Sequence, residues 1–127
     1  QQRSSAASDV YKRQDLDITL HFHNTRGVGL ANVLIGLNEG IYLYESCFGG
    51  IGGCPFAPDA TGNICSEDLV YMMNEMNIKT GIDINQLIKI AKKAEKILDY
   101  KLPGQVMHAG ERLKKYSLED VKTAKGN

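Results

Sequence analysis

The chain has 127 residues, of which 43% are hydrophobic, and this length suits a single domain or a part of a larger one. Its 15 basic and 15 acidic side chains cancel, so neither nucleic acid nor an anionic membrane surface is expected as a partner, and no apolar run approaches the ~20 residues of a membrane span. Three irregularly spaced cysteines argue against a secreted disulfide framework and favour a reducing compartment.

The first residues, QQRSSAASDVYKRQ, are polar and show no hydrophobic periodicity. We interpret residues 1–14 as a disordered or non-native leader and leave them out of the fold prediction. The folded part is expected over residues 15–110. Residues 111–127 are expected to form a C-terminal tail with one helical turn between Ser117 and Lys122.

The next elements predict a strand, a helix and a second strand. Asp17–His23 alternates between apolar and polar residues, which is typical of a strand with one buried face. Residues 30–37 follow the spacing of an amphipathic helix, and Gly40 stands where a C-cap glycine belongs. Ile41–Cys47 is rich in β-branched and aromatic residues, which favour strands. This order predicts a βαβ unit with parallel strands.

A glycine-rich stretch, Ser46–Asn63, follows the second strand and is called the glycine loop below. Glycine within an element costs about 0.5–1 kcal/mol relative to alanine. The composition therefore indicates either a long surface turn or a loop that needs unusual backbone angles or close approach to a ligand.

Two amphipathic helices are predicted after the glycine loop. Ser66 is the expected N-cap of the first, with acidic residues at its positive end and a stripe of apolar side chains. Asp83 is the expected N-cap of the second, which should end at Pro103 and Gly104. The apolar stripe of the first helix is Leu69, Met72, Met73 and Met76, and its acidic residues are Glu67 and Asp68.

Two strands cannot complete a parallel sheet, so the pattern predicts part of a doubly wound sheet or of an eight-stranded (β/α) barrel. Reactive groups in both folds gather at the carboxyl ends of the strands. His21 and His23 lie there on one strand face and could share a divalent metal, although two ordinary hydrogen-bonded histidines would give the same pattern.

The remaining candidates lie in or beside the glycine loop. Cys54 could be a nucleophile, a general acid/base or a packed thiol. Asn63 could be a turn residue or an oxygen ligand of a hard cation. Cys65 is expected to pack in the core, whereas Cys47 could face either way. A zinc site that joins Cys54 and Cys65 to the histidines is disfavoured, because the short chelate spacing of structural zinc sites is missing.

The segments LHFHNTRGVGLAN and ESCFGGIGGCPFAPDATGNICSEDLVYMM together resemble the 3-hydroxy-3-methylglutaryl-CoA lyase family. The resemblance runs from about Asp17 to Gly81 and continues more weakly to about Gly110. GGIGGCP is its most specific part, since it resembles the family's signature around a catalytic cysteine. The H-x-H-[DN] and GN motifs are shared with other metal-dependent lyases, aldolases and acyl-CoA synthases of the same superfamily.

The resemblance implies an α/β fold that is the C-terminal part, about the last three βα units, of a TIM (β/α)8 barrel. It also implies a Mg²⁺ or Mn²⁺ centre bound by His21, His23 and Asn63, with Cys54 as the catalytic cysteine. The implied reaction is the retro-Claisen cleavage of 3-hydroxy-3-methylglutaryl-CoA to acetyl-CoA and acetoacetate, as in leucine degradation and ketone-body formation.

The implied partners are an acyl-CoA thioester as substrate, the missing N-terminal part of the barrel and a second copy in a homodimer. The isolated chain is expected to be inactive, because the family's first-strand Asp-Arg-Glu stretch is not in this sequence. The implied compartment is the cytoplasm or the mitochondrial matrix.

Three positions depart from the pattern of the family, namely Asn24, Arg26 and Glu45, and they leave other acyl groups open. These include a longer or differently branched 3-hydroxyglutaryl thioester and a citramalyl-like one. Two other functions stay open as well. The chain could belong to a condensing synthase or aldolase of the superfamily, or it could be a non-catalytic remnant.

Overall fold

The structure is a computed structural model that describes residues 17–53, 56, 62–118 and 121. The predicted leader and Cys54 lie outside the described residues. No helix of the described part is both long and apolar enough to cross a membrane.

The described chain forms two short strands and four helices. Strand β1 is Thr19–His21, and β2 is Leu43–Glu45. The helices are α1 (Gly29–Asn38), α2 (Ser66–Glu75), α3 (Ile84–Leu98) and α4 (Val106–Ala109), and a 3₁₀ turn covers Phe48–Gly50.

The predicted βαβ unit is confirmed, because β1 and β2 pair in parallel with Thr19 opposite Leu43 and His21 opposite Glu45. The predicted alternation of β1 is confirmed too. Phe22 packs against the core, while His21 is exposed on the other face. Gly40 follows the end of α1 with φ +81°, a conformation that L side chains rarely adopt.

The segment 62–66 lies between the chain sections that continue β1 and β2. On one side, Asn24 N donates to Gly62 O at 3.1 Å, and Ile64 N donates to Phe22 O at 3.1 Å. On the other side, Cys47 N donates to Ile64 O at 3.1 Å. This short segment therefore joins the carboxyl ends of both strands and places Asn63 between them.

The core consists of three clusters of buried side chains that hold the helices on this frame. The first joins α1, the 62–66 segment and α2, the second joins α2 and α3, and the third joins α3 to the region of α4. Their buried members are, in this order, Val33, Ile64, Leu69 and Met73; Val70, Ile84 and Ile88; and Ala91, Leu102 and Met107.

Two of the predicted helix boundaries need correction. The N-cap of α2 is Cys65, not Ser66, and the Ser66 hydroxyl lies 2.7 Å from that of Ser46. Helix α3 ends at Leu98, before Pro103 and Gly104, because Asp99 adopts the left-handed conformation at φ +54°. The predicted cap Asp83 is confirmed, since its side chain accepts hydrogen bonds from the backbone N–H groups of residues 85 and 86.

One helical turn was predicted in the tail. The described residues there make one hydrogen bond of the helical type, from Val121 N to Ser117 O at 3.2 Å. Helix α4 was not predicted at all. Its start is held by the buried side chain of Asp68, which accepts hydrogen bonds from the N–H groups of Gln105 at 3.1 Å and Val106 at 2.7 Å. Four residues are too short for hydrophobic periodicity to indicate a helix.

Candidate metal centre

The two predicted histidines lie side by side at the carboxyl end of β1. Their ring centroids are 5.2 Å apart, and the ring planes are inclined by 63°. Since residues two apart in an extended chain project to the same face, both imidazoles are available to one site. This part of the geometry follows directly from the H-x-H spacing.

Asn63 is brought to the same place by the 62–66 segment, where it forms an isolated antiparallel bridge with His23. Among the described residues, Nδ1 of His23 and Oδ1 of Asn63 are the two buried side-chain atoms of their kind that have no hydrogen-bond partner. A buried nitrogen or oxygen without a partner costs about 1–3 kcal/mol and calls for an explanation. Both atoms belong to residues that the sequence resemblance implies as metal ligands.

The opposite end of the Asn63 amide is fully engaged. Its Nδ2 group donates to the backbone oxygen of Ile51 at 3.2 Å and to Sγ of Cys47 at 3.1 Å. Gly52 has φ +121°, and a β-carbon on it would lie 2.6 Å from this nitrogen, so a larger residue would have to displace the Asn63 amide. The glycine loop thus needs a glycine at position 52 for close approach, which is one of the two readings that its composition allowed.

His21 has a partner of its own across the sheet. Its Nδ1 lies 2.9 Å from Oε2 of Glu45, the residue opposite it in the parallel register. In the sequence, Glu45 stood out only as a departure from the family pattern. The sequence feature that could have predicted its contact with His21 is its place at the carboxyl end of the neighbouring strand, opposite a candidate ligand.

The base of the glycine loop is closed by one backbone hydrogen bond, from Gly62 N to Gly52 O at 2.8 Å. Cys54 lies in the sequence between these two residues but outside the described residues. Gly49 and Gly50 adopt φ values of +61° and +69° in the 3₁₀ turn near the start of the glycine loop. These angles supply the other reason for a glycine-rich composition, namely backbone conformations that other residues avoid.

The buried side chain of Glu67 holds the same turn in place. Both side-chain oxygens of Glu67 accept a hydrogen bond from the N–H group of Gly49, at 2.8 and 2.9 Å, and Glu67 is fully buried. Burial raises the pKa of this carboxyl group, against the effect of the hydrogen bonds that lower it. The sequence placed Glu67 at the positive end of a helix but did not indicate this contact with a residue 18 positions away.

We expect Glu67→Ala to lower the free energy of unfolding of the full-length protein by about 1–3 kcal/mol, because it leaves the buried Gly49 N–H without an acceptor. We also expect a pH dependence with a definite sign. The pKa of Glu67 in the folded state lies above its ordinary value of 4.5, so its contribution to stability is complete below that value and is lost as the pH rises through the folded pKa.

Urea denaturation of the wild-type protein and of Glu67→Gln at several pH values tests this sign. The stability of the wild-type protein relative to Glu67→Gln should fall as the pH rises above 4.5. A difference that grows with pH would mean that the native state favours the charged carboxylate, contrary to this expectation.

The two described cysteines have different surroundings. Cys65 is buried as predicted, and burial raises the pKa of its thiol. Cys47 is half-buried and faces the Asn63 amide, which decides between the two orientations that the sequence left open.

The candidate donor atoms meet only part of the coordination that a hard divalent cation requires. A neutral amide oxygen is a typical ligand of Mg²⁺ or Mn²⁺, whereas imidazole nitrogens are more typical of Zn²⁺ or Fe²⁺, so carboxylates, water or substrate oxygens would have to complete the coordination of a hard cation. Within residues 17–53, 56, 62–118 and 121, no three His, Cys, Asp or Glu side chains form a cluster that could hold a metal. The candidate donors among the described residues are therefore two imidazoles and one amide.

The chain is similar to known proteins of one family. The profile of the HMGL-like family matches residues 3–93. The chain is 47% identical over 96 residues to the (R)-citramalyl-CoA lyase of Chloroflexus aurantiacus, which covers 76% of the chain and 30% of that relative. It is 44% identical over 88 residues to a hydroxymethylglutaryl-CoA lyase of Bacillus subtilis, which covers 69% of the chain and 29% of that relative.

A solved structure resembles the fold closely. An HMG-CoA lyase from Acinetobacter baumannii, in complex with coenzyme A and 3-methylmalate, superposes with a TM-score of 0.81 at 43% identity, covering 87% of this chain and 37% of that one. The chain thus spans about a third of the length of these three proteins. The expected fold class is confirmed, since the two strands and their helices are an α/β part of a TIM barrel.

Proposed function

The chain belongs to the HMGL-like family, and from this premise we propose that it forms part of a carbon–carbon lyase that cleaves a 3-hydroxy-acyl-CoA thioester. The preferred substrate is 3-hydroxy-3-methylglutaryl-CoA. Its cleavage gives acetyl-CoA and acetoacetate. Relatives at 44–47% identity are named for cleavage of this thioester or of citramalyl-CoA, which supports the reaction class.

The observation that carries the proposal is the pair of buried, unpartnered atoms in the described part of the chain, Nδ1 of His23 and Oδ1 of Asn63. They lie beside His21 at the carboxyl ends of parallel strands, where barrel enzymes place their active sites. We assign His21, His23 and Asn63 as ligands of Mg²⁺ or Mn²⁺. When bound, such a cation would acidify the tertiary hydroxyl of the substrate and bind a neighbouring carboxylate oxygen.

The proposed reaction also requires a proton donor, which we assign to this chain. Loss of the hydroxyl proton turns the hydroxyl carbon into a ketone and breaks the adjacent C–C bond, whose electron pair passes to a thioester enolate. The enolate carbon must then gain a proton. We assign this proton to the thiol of Cys54, which the glycine loop would bring over the acyl-CoA.

The remaining barrel strands would supply the acidic ligand and the cationic group that the enolate needs. We place the enzyme in a reducing compartment, cytoplasmic or mitochondrial, because the proposed acid is a free thiol.

Product analysis tests the function and separates its rivals. The full-length protein with Mg²⁺ should convert 3-hydroxy-3-methylglutaryl-CoA into equal amounts of acetyl-CoA and acetoacetate. Citramalyl-CoA, supplied separately, would give acetyl-CoA and pyruvate if the acyl pocket prefers the shorter chain. Release of free CoA from acetyl-CoA and a 2-oxo acid would indicate a condensing synthase, and no turnover of any of these would support a non-catalytic remnant.

A further inference from the structure

The candidate metal ligands are supported by side chains of a single strand end. Glu45 and Cys47 are two residues apart where β2 reaches its carboxyl end, and each contacts a different proposed ligand. Glu45 contacts His21 at 2.9 Å, and Cys47 contacts Asn63 at 3.1 Å. These contacts engage Nδ1 of His21 and Nδ2 of Asn63 and leave Nε2 of His21 and Oδ1 of Asn63 as the atoms a metal could use.

The contact of Glu45 selects the tautomer of His21. An ionised carboxylate can only accept a hydrogen bond, so Nδ1 of a neutral His21 carries the hydrogen and Nε2 carries the lone pair. A ring in this state can bind a metal through Nε2. Without the carboxylate, the hydrogen can occupy either nitrogen and the ring can rotate, and both changes reduce the fraction of protein that is ready to bind.

The contacts of the Asn63 amide select its orientation in a similar way. The Ile51 carbonyl can only accept, so the atom that faces it must be the amide nitrogen. Cys47 Sγ accepts from the same nitrogen and thereby uses its second hydrogen. Oδ1 is left pointing away from both partners, and among the described residues it has no hydrogen-bond partner.

We propose that Glu45 and Cys47 are positioning residues that orient His21 and Asn63 toward a divalent cation, an inference that rests on the proposed function. Neither residue needs to touch the cation or the substrate. Their side chains fix which atom of each ligand is presented, and this lowers the cost of organising the site when the cation binds. Outer contacts of this kind typically contribute 10–100-fold to metal affinity.

The experiment is a Mn²⁺ titration of the full-length protein followed by EPR, together with the melting temperature of the metal-free protein. Glu45→Leu and Cys47→Ala remove the acceptors and should each raise the Kd for Mn²⁺ by about 10–100-fold. Glu45→Asp and Cys47→Ser retain an acceptor and should restore most of the affinity. Leu43→Ala, two residues before Glu45 in β2, is the matched control and should bind Mn²⁺ like the wild-type protein.

The outcomes separate this inference from the function on which it rests. Mn²⁺ affinity that survives Glu45→Leu and Cys47→Ala but is lost in His23→Ala would overturn the positioning role alone. Failure of the wild-type protein to bind Mn²⁺ would overturn the metal centre and the positioning role together. Equal losses of affinity and melting temperature in the acceptor-retaining and acceptor-lacking variants would make both residues structural and would also overturn the inference.

Discussion

Replacing Cys54 by serine should lower kcat of the full-length enzyme by about 10²–10⁴ at saturating metal, the range expected when a general acid is lost. Serine is close to cysteine in size, so the loop should still close. Its hydroxyl has a far higher pKa than a thiol and is poorly matched to proton transfer to an enolate carbon. Affinity for Mn²⁺ should be nearly unchanged, because Cys54 is not a proposed ligand.

The other two cysteines provide matched controls for this measurement. Cys65→Ser changes a buried thiol beside the core, and Cys47→Ser retains the acceptor that faces Asn63. Both variants should lose much less turnover than Cys54→Ser. If Cys54→Ser stays within a few-fold of the wild-type kcat, its thiol is structural, and a cysteine-independent synthase becomes the better assignment.

Replacing His23 by alanine should abolish high-affinity Mn²⁺ binding and activity together. The loss of a direct ligand should exceed the roughly 10–100-fold cost of changing an outer contact. His23 is the proposed ligand whose Nδ1 is buried without a partner in the described part of the chain, so its removal eliminates a candidate donor. The measurement is an EPR titration with Mn²⁺, accompanied by turnover of 3-hydroxy-3-methylglutaryl-CoA.

Three further variants help to interpret this result. His21→Ala should have a similar effect, while Asn63→Ala should be milder, because water can replace a neutral amide oxygen more easily than an imidazole. His108→Ala is a control histidine, since its Nε2 bonds to the backbone oxygen of Leu102 instead of facing the site. Unchanged Mn²⁺ affinity in His23→Ala would remove His23 from the site.

Local patterns in the sequence were sufficient for the elements whose determinants are close together along the chain. The alternation around His21 and His23 placed both imidazoles on one strand face, and the rings are indeed 5.2 Å apart. Asp83 caps a helix through the backbone two and three residues later. These interactions depend on the fixed geometry of a strand or of a helix turn, which a short stretch of sequence already specifies.

Interactions between distant residues were decided only by the tertiary structure. Glu67 reaches the N–H group of Gly49, and Asp68 holds the start of a helix 37 residues further on. In the sequence, both are acidic residues at a helix N-terminus. The helix dipole already explains an acidic residue there, so the sequence did not indicate that either one has a distant hydrogen-bond partner. The end of α3 was also misplaced, since Asp99 adopts a left-handed conformation before the proline that was expected to stop the helix.

The candidate site shows the same division. Its residue types and order were available from the sequence, and the resemblance supplied the proposed role of each. The hydrogen-bond partners of the proposed ligands could not be predicted from the sequence, because the contacts of Glu45 with His21 and of Cys47 with Asn63 join residues 24 and 16 positions apart. Parallel pairing brings the first pair into register, and the segment 62–66 between the two strand ends brings the second pair together. Such contacts are set by how the chain packs, and no local period in the sequence encodes them.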